Sequence, residues 1–334
     1  MNYRIFIILI FYASSVFGQN ALNIKGVNTI LKYNENSEFL VILVHGSGKQ
    51  NMAGSLSFGS RPECFYVEYA NREFNLFDEI SENLVEIGFS TLRYEKLNVR
   101  DKINDDFIIK DFIEDLNHII QNVQSKPQLK EQKIVLFGWS EGVTVALNQF
   151  KYDLDIAGMI LFGGVFMDPI IMKADAYYDL YKNCEGNEER AKSYRYQFIH
   201  QIEQVGQKND EKYENRLVFY DTLYNENKSQ IIGISKKAFS YSKYYFNDFK
   251  TQVENSIARV SNADIPLLII HGEKDVNVTL ENHYFLKKKL KNQKNVSFKT
   301  LSNTDHFLRE NFNHEINPLF FEMISNWKAK LNWQ

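Results

Sequence analysis

The 334-residue chain has little of what marks several protein classes. It carries 2 cysteines and 5 prolines, too few for a disulfide-dense miniprotein or a collagen-like chain. Neither sign of charge dominates: 39 Lys and Arg against 42 Asp and Glu leave a formal net charge of -3. That balance excludes a disordered polyelectrolyte and argues against nucleic acid as a partner, because proteins that track phosphates need clustered Lys and Arg. HExxH, CxxC and clustered Asp patterns are missing, and the 7 histidines are scattered, so no metal site is expected. No GxGxxG follows an expected strand. Gly46-Ser47-Gly48-Lys49 imitates a phosphate loop, but that loop would need glycine at Leu43 and serine or threonine at Gln50. No cofactor is expected either. What is abundant is apolar side chain, 44% of residues, enough to bury a large core. The length fits one α/β body with an inserted subdomain, or two domains.

Long hydrophobic runs are also scarce. The run Ile5 to Ala13 follows Arg4 and leads to the small-residue exit Ser14-Ser15-Val16-Phe17-Gly18, the layout of a secretory signal peptide cut after Gly18. It is less than half the roughly 20 residues that span hydrocarbon, and no later stretch spans either. The expectation is an exported protein, periplasmic or extracellular, with residues 1–18 removed and no stable membrane span. Export would let Cys64 and Cys184 form a bridge, closing a long loop; two separate buried thiols are the alternative.

Between these limits the chain alternates strands and helices. Phe39 to Gly46 is a continuous apolar run of the kind buried on both faces of a parallel sheet. Asn75 to Gly88 has a helical period ended by glycine, and Phe89 to Tyr94 reads as a strand. Asp106 to Gln124 repeats the helical period; Lys133 to Trp139, Ile156 to Gly164, Pro266 to Gly272 and Val296 to Leu301 supply further strands. Val27 to Tyr33 adds one at the start, and a helix runs from about Pro318 to Leu331. The alternation predicts an α/β fold with a mostly parallel sheet flanked by helices, whose sites lie beyond the carboxyl ends of the strands. Residues 19–164 and 263–334 form that body. Residues 165–262 break the pattern: helical in tone and rich in tyrosine, they are expected to form an inserted helical cap over the site, with a peripheral bundle as the alternative.

Gly138-Trp139-Ser140-Glu141-Gly142 stands between the strand ending at Phe137 and the helix-forming Val143 to Phe150. In that setting it is a nucleophile elbow, a sharp strand-to-helix turn that holds a serine proud of the sheet. A serine hydroxyl needs an imidazole to take its proton and a carboxylate to orient the imidazole. Asp275, in the loop after Pro266 to Ile270, and His306, in the loop after Val296 to Leu301, follow in the order serine, acid, histidine. Glu273 and Asp264 are the fallback acids; His283 and His314 are the competing imidazoles. His45 and His271, each beside glycine, read as structural. The glycines of His45-Gly46-Ser47-Gly48 let the Ser47 amide face a reacting carbonyl oxygen, paired with the amide of Glu141.

These residues carry a resemblance. VHGSG at Val44 to Gly48, RYEK at Arg93 to Lys96, GWSEG at Gly138 to Gly142, HGEKDVNV at His271 to Val278 and DHF at Asp305 to Phe307 resemble the α/β-hydrolases, in particular bacterial esterases and acyl hydrolases with HGSG and GHSEGG motifs. The resemblance implies an eight-strand-type sheet, no cofactor, and hydrolysis of a small-molecule ester or peptide through an acyl-enzyme. Trp139 stands where the subgroup has histidine, Val143 where it has a further glycine, and Lys49-Gln50 where it has proline. Trp139 and Lys49 are therefore expected at the mouth of the site, touching substrate. The short lead into the His45 strand predicts a shortened or missing first hairpin. Ester hydrolysis is the leading expectation. A peptidase, amidase or acyl thioesterase on the same scaffold, and a noncatalytic binding protein that keeps the fold, are its rivals.

Overall fold

The computed structural model describes residues 19–59, 64–101, 107–204, 216–217, 221–225, 230–235, 241–242 and 244–333. The expected leader 1–18 lies outside the described residues, and so do the side chains of Cys64 and Cys184.

Eight strands build the central sheet: β1 Gln19–Ile24, β2 Val27–Lys32, β3 Phe39–Val44, β4 Ser90–Tyr94, β5 Lys133–Trp139, β6 Ile156–Phe162, β7 Leu267–Gly272 and β8 Val296–Leu301. Their spatial order is β1-β2-β4-β3-β5-β6-β7-β8. β1, β2 and β4 pair antiparallel; every pairing from β4 through β3 to β8 is parallel. The first hairpin is thus present and not missing. A two-residue turn at Lys25 and Gly26, both at positive φ, joins strands of 6 residues each, so the hairpin needs little chain.

Besides a single helical turn at Leu97–Arg100, eight longer helices among the described residues flank this sheet or lie in the insertion: α1 Leu76–Glu86, α2 Ile109–Gln124, α3 Glu141–Leu147, α4 Pro169–Glu185, α5 Glu188–Gln204, α6 Tyr245–Val260, α7 Leu280–Lys289 and α8 Pro318–Lys328. Every residue of β3 is buried, because its alternate side chains enter different cores. Leu40, Ile42 and Val44 join the layer that contains α2, α3 and α6, whereas Phe39, Val41 and Leu43 join the layer under α1 and α8. No helix among the described residues is long and apolar enough to cross a membrane.

Between β6 and β7 the chain is less helical than its tone suggested. Two helices, α4 and α5, pack on each other, but Asp221–Asn225 and Gln230–Ser235 pair as antiparallel strands, and Arg216–Leu217 pairs with Tyr241–Ser242. Alternation through Thr222 and Tyr224, and the β-branched run Ile231, Ile232 and Ile234, is a strand signal hidden by the interleaved charge. The last helix of the segment, α6, buries Tyr245, Phe246, Phe249 and Val253 against α2 and α3. Asn148 donates to the Gln252 carbonyl at 2.9 Å there.

Phe320 of α8 is fully buried, its ring 6.1 Å from Phe137 and 5.9 Å from Phe162. Phe320→Ala is expected to lower unfolding free energy by about 3–5 kcal/mol, read from the urea midpoint. A shift below about 1 kcal/mol would mean that this layer closes over the cavity, against what the packing of the three rings implies.

Candidate active site

β5 ends at Trp139 and α3 begins at Glu141, leaving Ser140 alone to make the turn. Its φ of 56° and ψ of -122° lie where residues with a side chain are strained. The strain is held by its surroundings: the Ser140 amide donates to the Phe162 carbonyl at 2.9 Å, and the Val143 amide donates to the Ser140 carbonyl at 3.0 Å. The flanking glycines are required by contact. A Cβ at Gly142 would stand 2.3 Å from the Val44 oxygen, and one at Gly138 would stand 2.8 Å from the Gly142 oxygen.

Beyond β7 a similar close approach brings two loops together. A Cβ at Gly272 would lie 2.3 Å from the Thr304 oxygen, so the loop carrying Asp275 rests directly on the loop carrying His306. Asp275 Oδ1 accepts from the amides of Asn277 at 2.9 Å and Val278 at 2.8 Å, and its Oδ2 meets His306 Nδ1 at 2.7 Å. Both side chains are buried. This network assigns the ring proton to Nδ1, so Nε2 of the neutral imidazole is an acceptor. His306 and Ser140 line one cavity of about 240 Å³ together with Ser47, Gln50 and Trp139.

The rival groups lie elsewhere. Glu273 and Asp264 are exposed. His283 is buried in α7 with its ring 5.3 Å from Phe298, and burial lowers its pKa to about 4. The carbonyl of His314 accepts from Arg309. His271 and His45 have structural partners, Nε2 of the first meeting the Val278 carbonyl at 2.7 Å and that of the second the Tyr94 carbonyl at 3.0 Å.

Two positions expected at the mouth of the site are corrected. Trp139 is 3% exposed: its ring packs on Phe77 and its Nε1 donates to the His306 carbonyl at 2.8 Å, so it forms the inner wall of the cavity and not its mouth. Lys49 is exposed, and the cavity wall from that loop is made by Ser47 and the buried Gln50. Sequence reasoning also missed what shapes the His306 loop. Asp305 is 2% exposed; its Oδ1 accepts from the amides of Phe307 and Arg309, both at 2.9 Å, and its Oδ2 accepts from the Tyr69 hydroxyl. The signal was present in Asp305-His306-Phe307, an acid just ahead of a loop histidine, but its partner Tyr69 is 236 positions away.

Burial, reinforced by the nearby Lys96 ammonium, lowers the His45 imidazole from 6.5 to about 3. The unfolded chain therefore binds this proton at a pH where the folded chain does not. Stability from this group is complete above about pH 6.5 and is lost as pH falls toward 3, by about 2 kcal/mol at pH 5. Urea titrations at pH 7 and pH 5 should show this loss, and His45→Asn should show a smaller one. An equal pH dependence in the variant would refute the assignment.

Residues 26–178 match the Phospholipase/Carboxylesterase family and residues 215–320 match the Prolyl oligopeptidase family. No curated protein matches the chain. Among solved structures, Est1E from Butyrivibrio proteoclasticus is 17% identical, with 95% of this chain and 100% of that one covered at a TM-score of 0.57. A soluble variant of monoglyceride lipase from Saccharomyces cerevisiae, in complex with a substrate analog, is 14% identical, with coverage of 96% and 97% and a TM-score of 0.58. The monoacylglycerol lipase of Paleococcus ferrophilus is 13% identical, with 92% and 99% covered and a TM-score of 0.54. At such identities the likeness is one of fold, and it extends over nearly the whole of each chain. The sheet order and the strained turn after β5 agree with that likeness: the chain has the α/β-hydrolase fold and resembles esterases and lipases built on it.

Proposed function

We propose that the protein is a serine hydrolase that cleaves carboxylic esters through an acyl-enzyme. The observation that carries this reading is the 2.7 Å pairing of His306 Nδ1 with Asp275, in a ring that shares its cavity with the strained Ser140. His306 Nε2 takes the Ser140 proton as Oγ attacks the ester carbonyl. Asp275 holds the ring in the required tautomer and stabilises the imidazolium. The tetrahedral oxyanion is received by the amides of Ser47 and Glu141. Collapse expels the alcohol, which leaves with the proton from His306. Water, deprotonated by the same imidazole, then releases the acid and restores Ser140. Val165, Met172, Phe246 and Phe249 give the small cavity an apolar wall suited to a short acyl group. Residues 1–18 would direct the protein out of the cytoplasm.

Amide chemistry uses the same groups, and the match of residues 215–320 to the Prolyl oligopeptidase family favours peptide cleavage as the second reading. Parallel turnover of short-chain aryl esters and aminoacyl anilides separates the two. Ester preference by kcat/KM is expected, and faster anilide cleavage would reverse the assignment.

Ser140→Ala is expected to lower kcat for an aryl ester by at least about 10⁴-fold and to abolish labelling by a fluorophosphonate. Asp275→Asn should keep the fold and lose about 10⁴-fold, because it favours the wrong ring tautomer. Full turnover by Ser140→Ala would end the proposal.

A further inference from the structure

Lys96 lies just beyond β4, and its side chain is 4% exposed. Its ammonium has three hydrogens and three acceptors: the carbonyl of Gly46 at 2.5 Å, the carbonyl of Gly48 at 3.1 Å and Glu141 Oε1 at 3.0 Å. The ring of Phe112 covers it, with Nζ 4.6 Å from the centroid. The other carboxylate oxygen of Glu141 accepts from the Tyr245 hydroxyl at the start of α6.

These acceptors are not a random set. No peptide bond among the described residues is cis, and in a trans amide the C=O and N–H point in opposite directions. Holding the Gly46 oxygen therefore aims the Ser47 N–H away from Lys96, on the side where Ser47 lines the cavity and Gly46 abuts Ser140. A cation on the carbonyl also polarises that amide and strengthens its N–H as a donor. The third bond anchors Glu141, the residue whose own amide is the second donor.

We propose that Lys96 is a positioning residue for the oxyanion hole, one buried ammonium that sets the Ser47 amide directly and the Glu141 amide through its side chain. This rests on the serine-hydrolase reading above. A purely structural role is the competing account, but a buried ion pair is a weak way to stabilise a fold, and apolar residues of similar size hold such a space as well or better. Apolar residues cannot fix the direction of a carbonyl. The carbonyl contacts on either side of Ser47 are what the structural account leaves unused.

The test replaces both charges, so that neither is left buried and alone. The full-length double variant Lys96→Met with Glu141→Gln is assayed after circular dichroism and thermal unfolding establish its fold. Expected for an aryl ester is a fall in kcat of about 100-fold, as for loss of an oxyanion donor. KM should change by less than about threefold, because the lost interaction acts in the transition state. Affinity for an arylboronic acid, which forms a tetrahedral adduct on serine, should fall in parallel with kcat. Lys96→Arg keeps the charge and the fold but spreads its donors in a plane, and an intermediate fall in kcat is expected. Wild-type kcat in either folded variant would overturn the proposal, as would a kcat loss with unchanged boronate affinity. Failure of the underlying reading shows differently, as retained turnover in Ser140→Ala.

Discussion

The site depends on how closely the start of α3 lies against the end of β3. With the Val44 oxygen only 2.3 Å from where a Cβ of residue 142 would stand, helix and strand touch backbone to backbone. That contact leaves one residue, Ser140, to reverse the chain, and it fixes the turn relative to the Gly46–Gly48 loop that continues β3. The Ser140 turn and the Gly46–Gly48 loop are thus two sides of one backbone contact. Their relative position is set by the sheet and not by flexible side chains.

The second half of the site is built in the same way from different strands. Gly272 lets the end of β7 press on Thr304, and the loops beyond carry Asp275 and His306. Each loop is then shaped by a carboxylate that binds its own backbone amides: Asp275 holds Asn277 and Val278, and Asp305 holds Phe307 and Arg309. Such Asx-type turns stiffen loops that carry functional side chains, at the cost of burying charge. The rise in the Asp305 pKa through desolvation is the mark of that cost.

Much of this was legible in the sequence for a specific reason. Phe39 to Val44, Lys133 to Trp139 and Leu267 to Gly272 are apolar on both faces, a composition that few environments other than the middle of a parallel sheet accommodate. Once those strands are placed, the loops after them fall at one end, and Ser140, Asp275 and His306 fall there with them. Side-chain direction was not legible. The position of Trp139 in the elbow gives no sign that its indole points back into the core, and nothing local to Lys96 says which carbonyls its ammonium reaches. The Tyr245 bond to Glu141 spans 104 positions, and Tyr69 to Asp305 spans 236; no periodicity encodes such pairs. The short strands at Asp221–Asn225 and Gln230–Ser235 escaped because their alternation is brief and surrounded by charge.

The burial of Trp139 gives the molecule an optical property. It is one of 3 tryptophans in the chain, and its ring centroid lies 5.3 Å from that of His306, with the indole hydrogen committed to the carbonyl of the same residue. An imidazolium at that range quenches an excited indole, and a neutral imidazole does so far less. The emission of one native fluorophore therefore registers whether the ring beside it holds one proton or two, without label or substrate.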